Sequence, residues 1–202
     1  IAERNGLIVP IGAFALRAAC EEAARWPDPA TCISVNVSAR QLADRALLSQ
    51  VAIALQQSGL PPERLEIELT ESMLLHVDAD ILFALSALRD LGVGLALDDF
   101  GTGFASLGML RRLPLSAMKL DRSLIRELPT DREDVAIVRA AVQTGHAMGL
   151  RVVAEGVETE AQRDFLLSLG CDECQGYLFS RPMPGEDFQA LLNDRPAPSA
   201  TM

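Results

Sequence analysis

Two adjacent carboxylates, Asp98 and Asp99, stand at the end of a predicted β-strand and are followed, after one phenylalanine, by a Gly-Thr-Gly turn. Residues 93–98 alternate large apolar side chains with Gly94, Ala96 and Asp98, which is typical of a strand with one face of small residues. Carboxylate oxygens are hard ligands that suit Mg²⁺, Mn²⁺ or Ca²⁺. The pattern therefore favours a divalent-cation site over a solvated turn. The small face leaves room for a close neighbour or a ligand.

Polar side chains also end the other predicted strands. The carboxyl ends of parallel strands meet at one edge, where barrel enzymes assemble their active sites. Each residue has a structural alternative, for example an ion pair between Lys119 and Asp121. Convergence from six strands nevertheless favours a functional site. Besides Asp98 and Asp99, the set comprises Asn36, Glu68, Lys119, Glu155 and Gln175.

The hydrophobic pattern alternates predicted strands with predicted helices, which indicates a parallel α/β fold. We predict strands over residues 32–37, 65–70, 93–98, 117–121, 151–155 and 174–179. Most of them carry polar or small residues on one face and apolar residues on the other, which favours a closed barrel over an open doubly wound sheet. A (βα)₈ barrel needs about eight strands and about 250 residues. We therefore expect a TIM-like (βα)₈ barrel that lacks its first two strands in this chain.

Helix signals accompany the strands. An apolar stripe through Ile11, Phe14 and Ala18 predicts the buried face of a first helix that ends before Trp26. Capping boxes are predicted at Thr130 and Thr159, because each is followed three residues later by Glu or Gln.

Composition restricts the class of protein. The chain has 202 residues, 49% of them apolar, and a formal net charge of −10. It holds no apolar run near the ~18 residues that a membrane span needs. The acidity argues against a nucleic-acid polymer as partner, yet bound cations would still allow a nucleotide phosphate to bind. Four scattered cysteines suggest reduced thiols, and the Cys171–Cys174 pair lacks further nearby zinc ligands. We expect one domain over residues 1–193, a disordered tail over 194–202, and a cytoplasmic location, alone or as the cytoplasmic part of a membrane-anchored sensor.

Six segments carry a family resemblance, and it covers nearly the whole chain. They are Ser34-Val-Asn36-Val-Ser38, Glu68-Leu-Thr-Glu71-Ser72, Asp98-Asp99-Phe-Gly101-Thr-Gly103, Lys119-Leu-Asp121-Arg122-Ser123, Ala154-Glu155-Gly-Val-Glu158-Thr159 and Gln175-Gly-Tyr177-Leu-Phe-Ser-Arg181-Pro182. In this order they resemble the EAL family of bacterial cyclic di-GMP phosphodiesterases. The resemblance implies a modified (βα)₈ barrel with an antiparallel first strand. It also implies hydrolysis of cyclic di-GMP to linear 5′-pGpG with two divalent cations, Mg²⁺ or Mn²⁺, and inhibition by Ca²⁺.

The resemblance also implies roles for individual residues. Asn36, Glu68 and Asp98 would be metal ligands, and Asp99 would hold a second metal. Glu155 would complete the shell of metal and water. The catalytic set would be Asp99, Lys119, which orients the attacking water, Glu155, and Glu71, which braces the loop after Asp99. Contacts with the substrate would come from Ser38, Asp121, Glu158, Gln175, Tyr177, Arg181 and Pro182.

One feature of the family does not occur in this sequence, the Glu-Ala-Leu strand that supplies a further metal ligand. Either the protein continues upstream of this chain or it is a degenerate relative, and the otherwise complete catalytic set favours the first. The functional alternatives are a catalytically silent cyclic di-GMP receptor and a partner-docking module. The expected partners are cyclic di-GMP, a second copy in a homodimer, and an upstream sensory or GGDEF domain.

Overall fold

The fold alternates parallel strands with helices, as the hydrophobic pattern predicts. A computed structural model describes residues 2–3, 5–103 and 106–194. The strands pair in chain order and form a curled six-stranded sheet, a half-barrel, which confirms the predicted α/β barrel class. They are β1 Ile33–Asn36, β2 Leu65–Thr70, β3 Gly94–Phe100, β4 Ala117–Leu120, β5 Arg151–Ala154 and β6 Glu173–Cys174.

Helices cover the convex side and the ends of the sheet. They are α1 Ile8–Ala23, α2 Ala39–Leu42, α3 Leu47–Ser58, α4 Ala79–Asp90, α5 Leu107–Leu110, α6 Arg122–Ile125, α7 Arg132–Ala147, α8 Glu160–Ser168 and α9 Gly185–Asp194, with 3₁₀ turns at Pro62–Arg64 and Glu71–His76. The tail predicted to be disordered falls, apart from its first residue, outside the described residues.

Two of the helix predictions need correction. Thr159 forms its predicted capping box, but the N-cap of α7 is Asp131 and not Thr130, because the Asp131 carboxylate accepts from the backbone N–H groups of Glu133 and Asp134. The predicted buried face of α1 is also wrong. Ile11 and Phe14 are exposed, and α1 packs on β1 and α3 through Leu16, Cys20 and Ala23.

The two faces of the sheet differ in chemistry. Large apolar side chains from every central strand point to the convex side and pack under the helices, where they are almost fully buried: Leu65, Ile67, Leu69, Leu95, Leu97, Met118, Leu120 and Val152. Because side chains alternate along a strand, the intervening residues point to the concave side. These include Glu68, Asp98 and Lys119, each buried despite its charge. The concave face therefore carries the polar groups.

Two structural observations bear on the expectations from composition. Within the described ranges, no helix combines the length and the apolarity needed to cross a membrane. All four cysteines are free thiols, and burial raises the pKa of the Cys171 thiol to about 12. That thiol is therefore protonated at neutral pH, which disfavours metal binding or redox chemistry there.

Asp172, before β6, gives the fold a pH dependence. Its Oδ2 accepts from the Val152 backbone N–H at 2.7 Å and lies 2.9 Å from His146 Nε2. Although burial acts to raise the pKa of Asp172, these bonds outweigh it and hold the pKa below its usual value. A depressed carboxyl pKa stabilises the fold above the pKa of the unfolded chain, and this stabilisation is lost as pH falls through the folded pKa.

We therefore expect Asp172→Asn to lower the free energy of unfolding at pH 7 by a modest amount, below about 1 kcal/mol because the site is partly exposed. The difference from wild type should shrink below about pH 4, where the unfolded carboxyl is protonated. Urea unfolding of both proteins at pH 7 and below about pH 4 measures this difference in the free energy of unfolding. Asp164→Asn, which removes an exposed carboxylate on α8, is the matched control, and an Asp172→Asn deficit independent of pH would contradict the assignment.

Candidate active site

A β-bulge places the two adjacent aspartates at the carboxyl edge of the sheet. Leu97 pairs with Met118 and Phe100 pairs with Leu120, so Asp98 and Asp99 together oppose the single residue Lys119. Asp99 adopts φ 57°, a left-handed conformation that is uncommon for residues other than glycine. Its backbone N–H donates to Asp98 Oδ1 at 3.0 Å. The bulge therefore allows both carboxylates, which would otherwise point to opposite faces, to serve one site.

Lys119 is the centre of this site. Its Nζ lies 2.6 Å from Glu68 Oε1, 2.5 Å from Glu155 Oε1 and 3.6 Å from Asp98 Oδ1. Burial acts to lower the pKa of Lys119, but the hydrogen bonds to Glu155 and Glu68 outweigh it and raise the pKa above its usual value. Lys119 is therefore a fixed cation, and its partners are these carboxylates and not Asp121.

The acidic groups fit divalent cations. Carboxylate oxygens of Asp98, Asp99 and Glu155 lie within 4.8 Å of one another. Together with Glu68 they bring four carboxylates to one ammonium group. Burial is the main cause that raises the pKa of Glu155, and the neighbouring Lys119 opposes this shift. Burial is also the main cause that raises the pKa of Asp99, and the charge of Asp98 adds to it. This excess of hard, partly desolvated oxygen donors is the environment in which Mg²⁺ or Mn²⁺ binds.

Glu71 anchors the loop that follows Asp99. Its buried carboxylate accepts, through Oε2, from the backbone N–H groups of Gly101 at 3.1 Å and Thr102 at 3.0 Å, and from Thr102 Oγ1 at 3.1 Å. Gly103 N–H also donates to it at 3.3 Å. These are the contacts that a brace of this loop requires. Thr102 is not among the predicted site residues, although the Gly-Thr-Gly turn that contains its hydroxyl follows the two predicted metal ligands.

We expect Glu71→Gln to lower the free energy of unfolding by about 1–3 kcal/mol, because one amide oxygen replaces a charged acceptor of four hydrogen bonds. Turnover of cyclic di-GMP, the substrate that the resemblance implies, should fall about tenfold or more, since the loop begins at a candidate metal ligand. Urea unfolding and kcat measure the two effects. Glu160→Gln, an exposed change on α8, controls for loss of a charge. Glu71→Gln with wild-type stability and kcat would show that the loop holds its shape without this carboxylate.

Four other predicted residues lie at strand or helix ends. Asn36 ends β1 and pairs with Glu68 in register, and its side chain is exposed. Ser38 is the N-cap of α2. Asp121 is the N-cap of α6, and its charge adds to burial and to the charge of Asp98 in raising the pKa of Asp99. Glu158 is exposed in the loop between β5 and α8.

The remaining predicted residues share one groove. Gln175, Tyr177, Arg181 and Pro182 line a cavity of about 640 Å³ beyond the end of β6. The Arg181 guanidinium lies 4.5 Å from the centre of the Tyr177 ring, a cation–π arrangement. The segment turns at Gly176, where a Cβ atom would lie 2.2 Å from the Val157 carbonyl oxygen, so only glycine fits. β6 ends at Cys174, whereas the predicted strand runs to residue 179.

The chain is similar to known proteins in both sequence and structure. The sequence profile of the EAL domain matches residues 1–182. The bifunctional diguanylate cyclase/cyclic di-GMP phosphodiesterase MucR of Pseudomonas aeruginosa is 47% identical over 196 residues, covering 95% of this chain and 28% of MucR. The chain spans about a quarter of the length of the curated relatives that it matches.

Solved structures show the same fold. The PaMucR phosphodiesterase in complex with c-di-GMP superposes with a TM-score of 0.86 at 46% identity, covering 93% of this chain and 77% of that chain. A manganese and cyclic di-GMP complex of Klebsiella pneumoniae BlrP1 gives a TM-score of 0.79 at 30% identity, covering 91% of this chain and 46% of that chain. The same protein is also known in a calcium complex with cyclic di-GMP.

Proposed function

The chain belongs to the EAL domain family, and we propose that it hydrolyses cyclic di-GMP to linear 5′-pGpG with two divalent cations, Mg²⁺ or Mn²⁺. The observation that carries this proposal is the convergence of Asp98, Asp99 and Glu155 beside Lys119 at the carboxyl edge of the sheet. The relative MucR, which bears the same activity in its name, supports the proposal. Asn36, Glu68, Asp98, Asp99 and Glu155 are the proposed metal ligands.

The reaction joins a water oxygen to phosphorus and breaks the bond from phosphorus to the ribose O3′. The water loses one proton, and the departing O3′ gains one. Bound cations would acidify the water and neutralise charge on the phosphate. For the protein, the task is to hold four carboxylates close together in a partly desolvated site, which the bulge and the Glu71 brace accomplish.

Lys119 is proposed to orient the water or a phosphate oxygen. An ammonium group has three N–H donors. Two are directed to Glu68 and Glu155, and these bonds fix the position of Nζ. The third is available to an incoming oxygen near Asp98, and the raised pKa keeps the group charged at neutral pH. Lys119 thus supplies a positive charge that need not reorganise during the reaction.

The groove beyond β6 is the proposed binding site for one end of the nucleotide. Tyr177 and Arg181 offer an aromatic face and a planar cation, on which a guanine base stacks well. Gln175 and Pro182 line the same groove. Ser38, Asp121 and Glu158 are proposed substrate contacts from the loops after β1, β4 and β5, although Ser38 and Asp121 also cap helices.

Binding and turnover distinguish this proposal from its alternatives. We expect the protein as its gene encodes it to bind cyclic di-GMP in Ca²⁺ without cleaving it, and to cleave it in Mn²⁺ or Mg²⁺. Calorimetry measures binding, and chromatography of the nucleotides measures turnover. Binding without cleavage in any of the three cations would indicate a silent receptor. Neither binding nor cleavage would indicate a partner-docking module.

We extend the proposal to assembly: a homodimer, with a sensory or GGDEF domain in the same protein. MucR, which is named as both a diguanylate cyclase and a phosphodiesterase, supports the second part. Light scattering of the whole protein tests whether it forms a homodimer.

A further inference from the structure

A second row of polar side chains lies on the concave face, one step below the candidate active site. Arg151 Nη2 lies 2.6 Å from Glu66 Oε2, and Arg151 Nη1 lies 2.6 Å from Glu173 Oε1. Ser34 Oγ donates to Glu66 Oε1 at 3.3 Å. These four residues, which we call the Arg151 strap, join β1, β2, β5 and β6.

The two middle strands make room for the strap. Glu66 pairs in register with Gly94, Ala96 with Ala117, and Ala117 with Arg151, so β3 and β4 present only small residues between the charged partners. A Cβ atom at Gly94 would lie 3.3 Å from Glu66 Oε2. The small face of β3, which the sequence left open to a neighbour or a ligand, therefore accommodates an ion pair that crosses two strands.

The chemistry of arginine suits this crossing. Its planar guanidinium presents donors in two directions and can bind two carboxylates at once, which a lysine ammonium does less well. The Glu66 side chain is only 11% exposed, whereas that of Glu173 is 51% exposed. The contact to Glu66 is thus the more desolvated of the two, and it links β5 to β2 across the two strands between them.

The strap lies directly under the candidate metal ligands. Because side chains on one face recur every second residue, Glu68 follows Glu66 on β2, Gln175 follows Glu173 after β6, and Glu155 lies two such steps beyond Arg151. Backbone pairing of β6 to β5 extends over only two residue pairs. The strap therefore adds a side-chain link to the backbone pairing that holds these strand ends together.

We infer that Arg151 is a positioning residue: by joining Glu66 and Glu173 it holds Glu68 and Glu155 at the separation that Lys119 and divalent cations require. This inference rests on the proposed function for the identity of the cations. The inference goes beyond the proposed function, because the partners of Arg151 are Glu66 and Glu173, which are not among the proposed metal ligands.

The test measures Mn²⁺ affinity by calorimetry without nucleotide, in the protein as its gene encodes it. We expect Arg151→Met, which keeps the length and removes the charge, to weaken Mn²⁺ binding about tenfold or more, as loss of a residue that orients a metal ligand does. Arg151→Lys, which retains one contact, should recover part of the affinity. The double variant Arg151→Met/Glu66→Gln avoids an unpaired buried carboxylate and should show the same loss if Arg151→Met folds poorly.

Val138→Ala is the matched control for general destabilisation. Val138 is buried in α7, which packs on the convex side of β4 and β5, so its truncation lowers stability without touching the strap. Mn²⁺ affinity should stay at the wild-type value in this variant. If the Arg151 variants bind Mn²⁺ as tightly as Val138→Ala does, the inference is wrong. A wild type that binds Mn²⁺ but does not cleave cyclic di-GMP contradicts only the proposed function. A wild type that binds no Mn²⁺ contradicts both.

Discussion

Replacing Asp98 or Asp99 with Asn is expected to abolish hydrolysis of cyclic di-GMP while leaving the fold intact. Each substitution keeps the size of the side chain and removes one negative charge from the group of oxygens that Asp98, Asp99 and Glu155 form. Loss of a charged ligand to a catalytic cation should cost several kcal/mol of transition-state stabilisation, which is a fall in kcat of about 100-fold or more. The measurement is kcat at saturating Mn²⁺, with the melting temperature recorded for each variant.

Asp80→Asn is the matched control for the two aspartate variants. Asp80 lies on α4 and pairs at 3.8 Å with Arg45, and both side chains are almost fully exposed. We expect its kcat to equal that of the wild type. Turnover within about tenfold of wild type in both Asp98→Asn and Asp99→Asn would overturn the assignment of the cations to these residues.

Lys119→Met is expected to have the second largest effect, and it should affect both catalysis and stability. Removing the ammonium leaves Glu68, Asp98 and Glu155 facing one another in a buried site. Breaking a buried ion pair from one side typically costs about 3–5 kcal/mol, so the melting temperature without metal should fall. Mn²⁺ should restore part of it, because the cation replaces the lost positive charge. The kcat should remain about 100-fold or more below wild type even when Mn²⁺ saturates the site, because a fixed donor is missing.

Lys119→Arg separates the two effects. It preserves the charge and should preserve most of the stability, yet the larger planar group cannot place a donor at the same point, so kcat should still fall. Thermal unfolding with and without Mn²⁺, together with kcat, distinguishes the variants. A Lys119→Met protein that is destabilised but turns over normally would make Lys119 a purely structural counterion.

Local sequence patterns predicted the positions of most strands and helices. The features that they failed to predict depend on tertiary contacts. The bounds predicted for β2 match the structure residue for residue, because a period of two with turn residues on both sides leaves little ambiguity. The stripe through Ile11 and Phe14 was misleading for a different reason. Amphipathicity reports that a helix has an apolar face, but which face is buried depends on the partners, and α3 and β1 meet α1 at Leu16, Cys20 and Ala23.

The part of the candidate site that follows from the alternation of side chains along each strand was predictable from the sequence. This alternation places Glu68, Asp98 and Lys119 on one face, and the parallel sheet brings their strand ends together. It could not reveal the bulge that brings Asp99 to the same site, since register between β3 and β4 depends on how the two strands pack. Nor could it reveal the Arg151 strap, whose members are more than 80 residues apart at Glu66 and Arg151. The sequence does carry one signal, because alternation along a strand places Glu66 on the same face as Glu68, and Arg151 on the same face as Glu155.

The most direct test of the central claim is hydrolysis of cyclic di-GMP in water enriched in oxygen-18, with Mn²⁺ and the protein as its gene encodes it. Mass spectrometry of the products follows the label. The account predicts a linear dinucleotide with one oxygen-18 atom in its 5′-phosphate, because a water oxygen joins phosphorus as the bond to O3′ breaks. Recovery of intact cyclic di-GMP, or a linear product without the label, would contradict it.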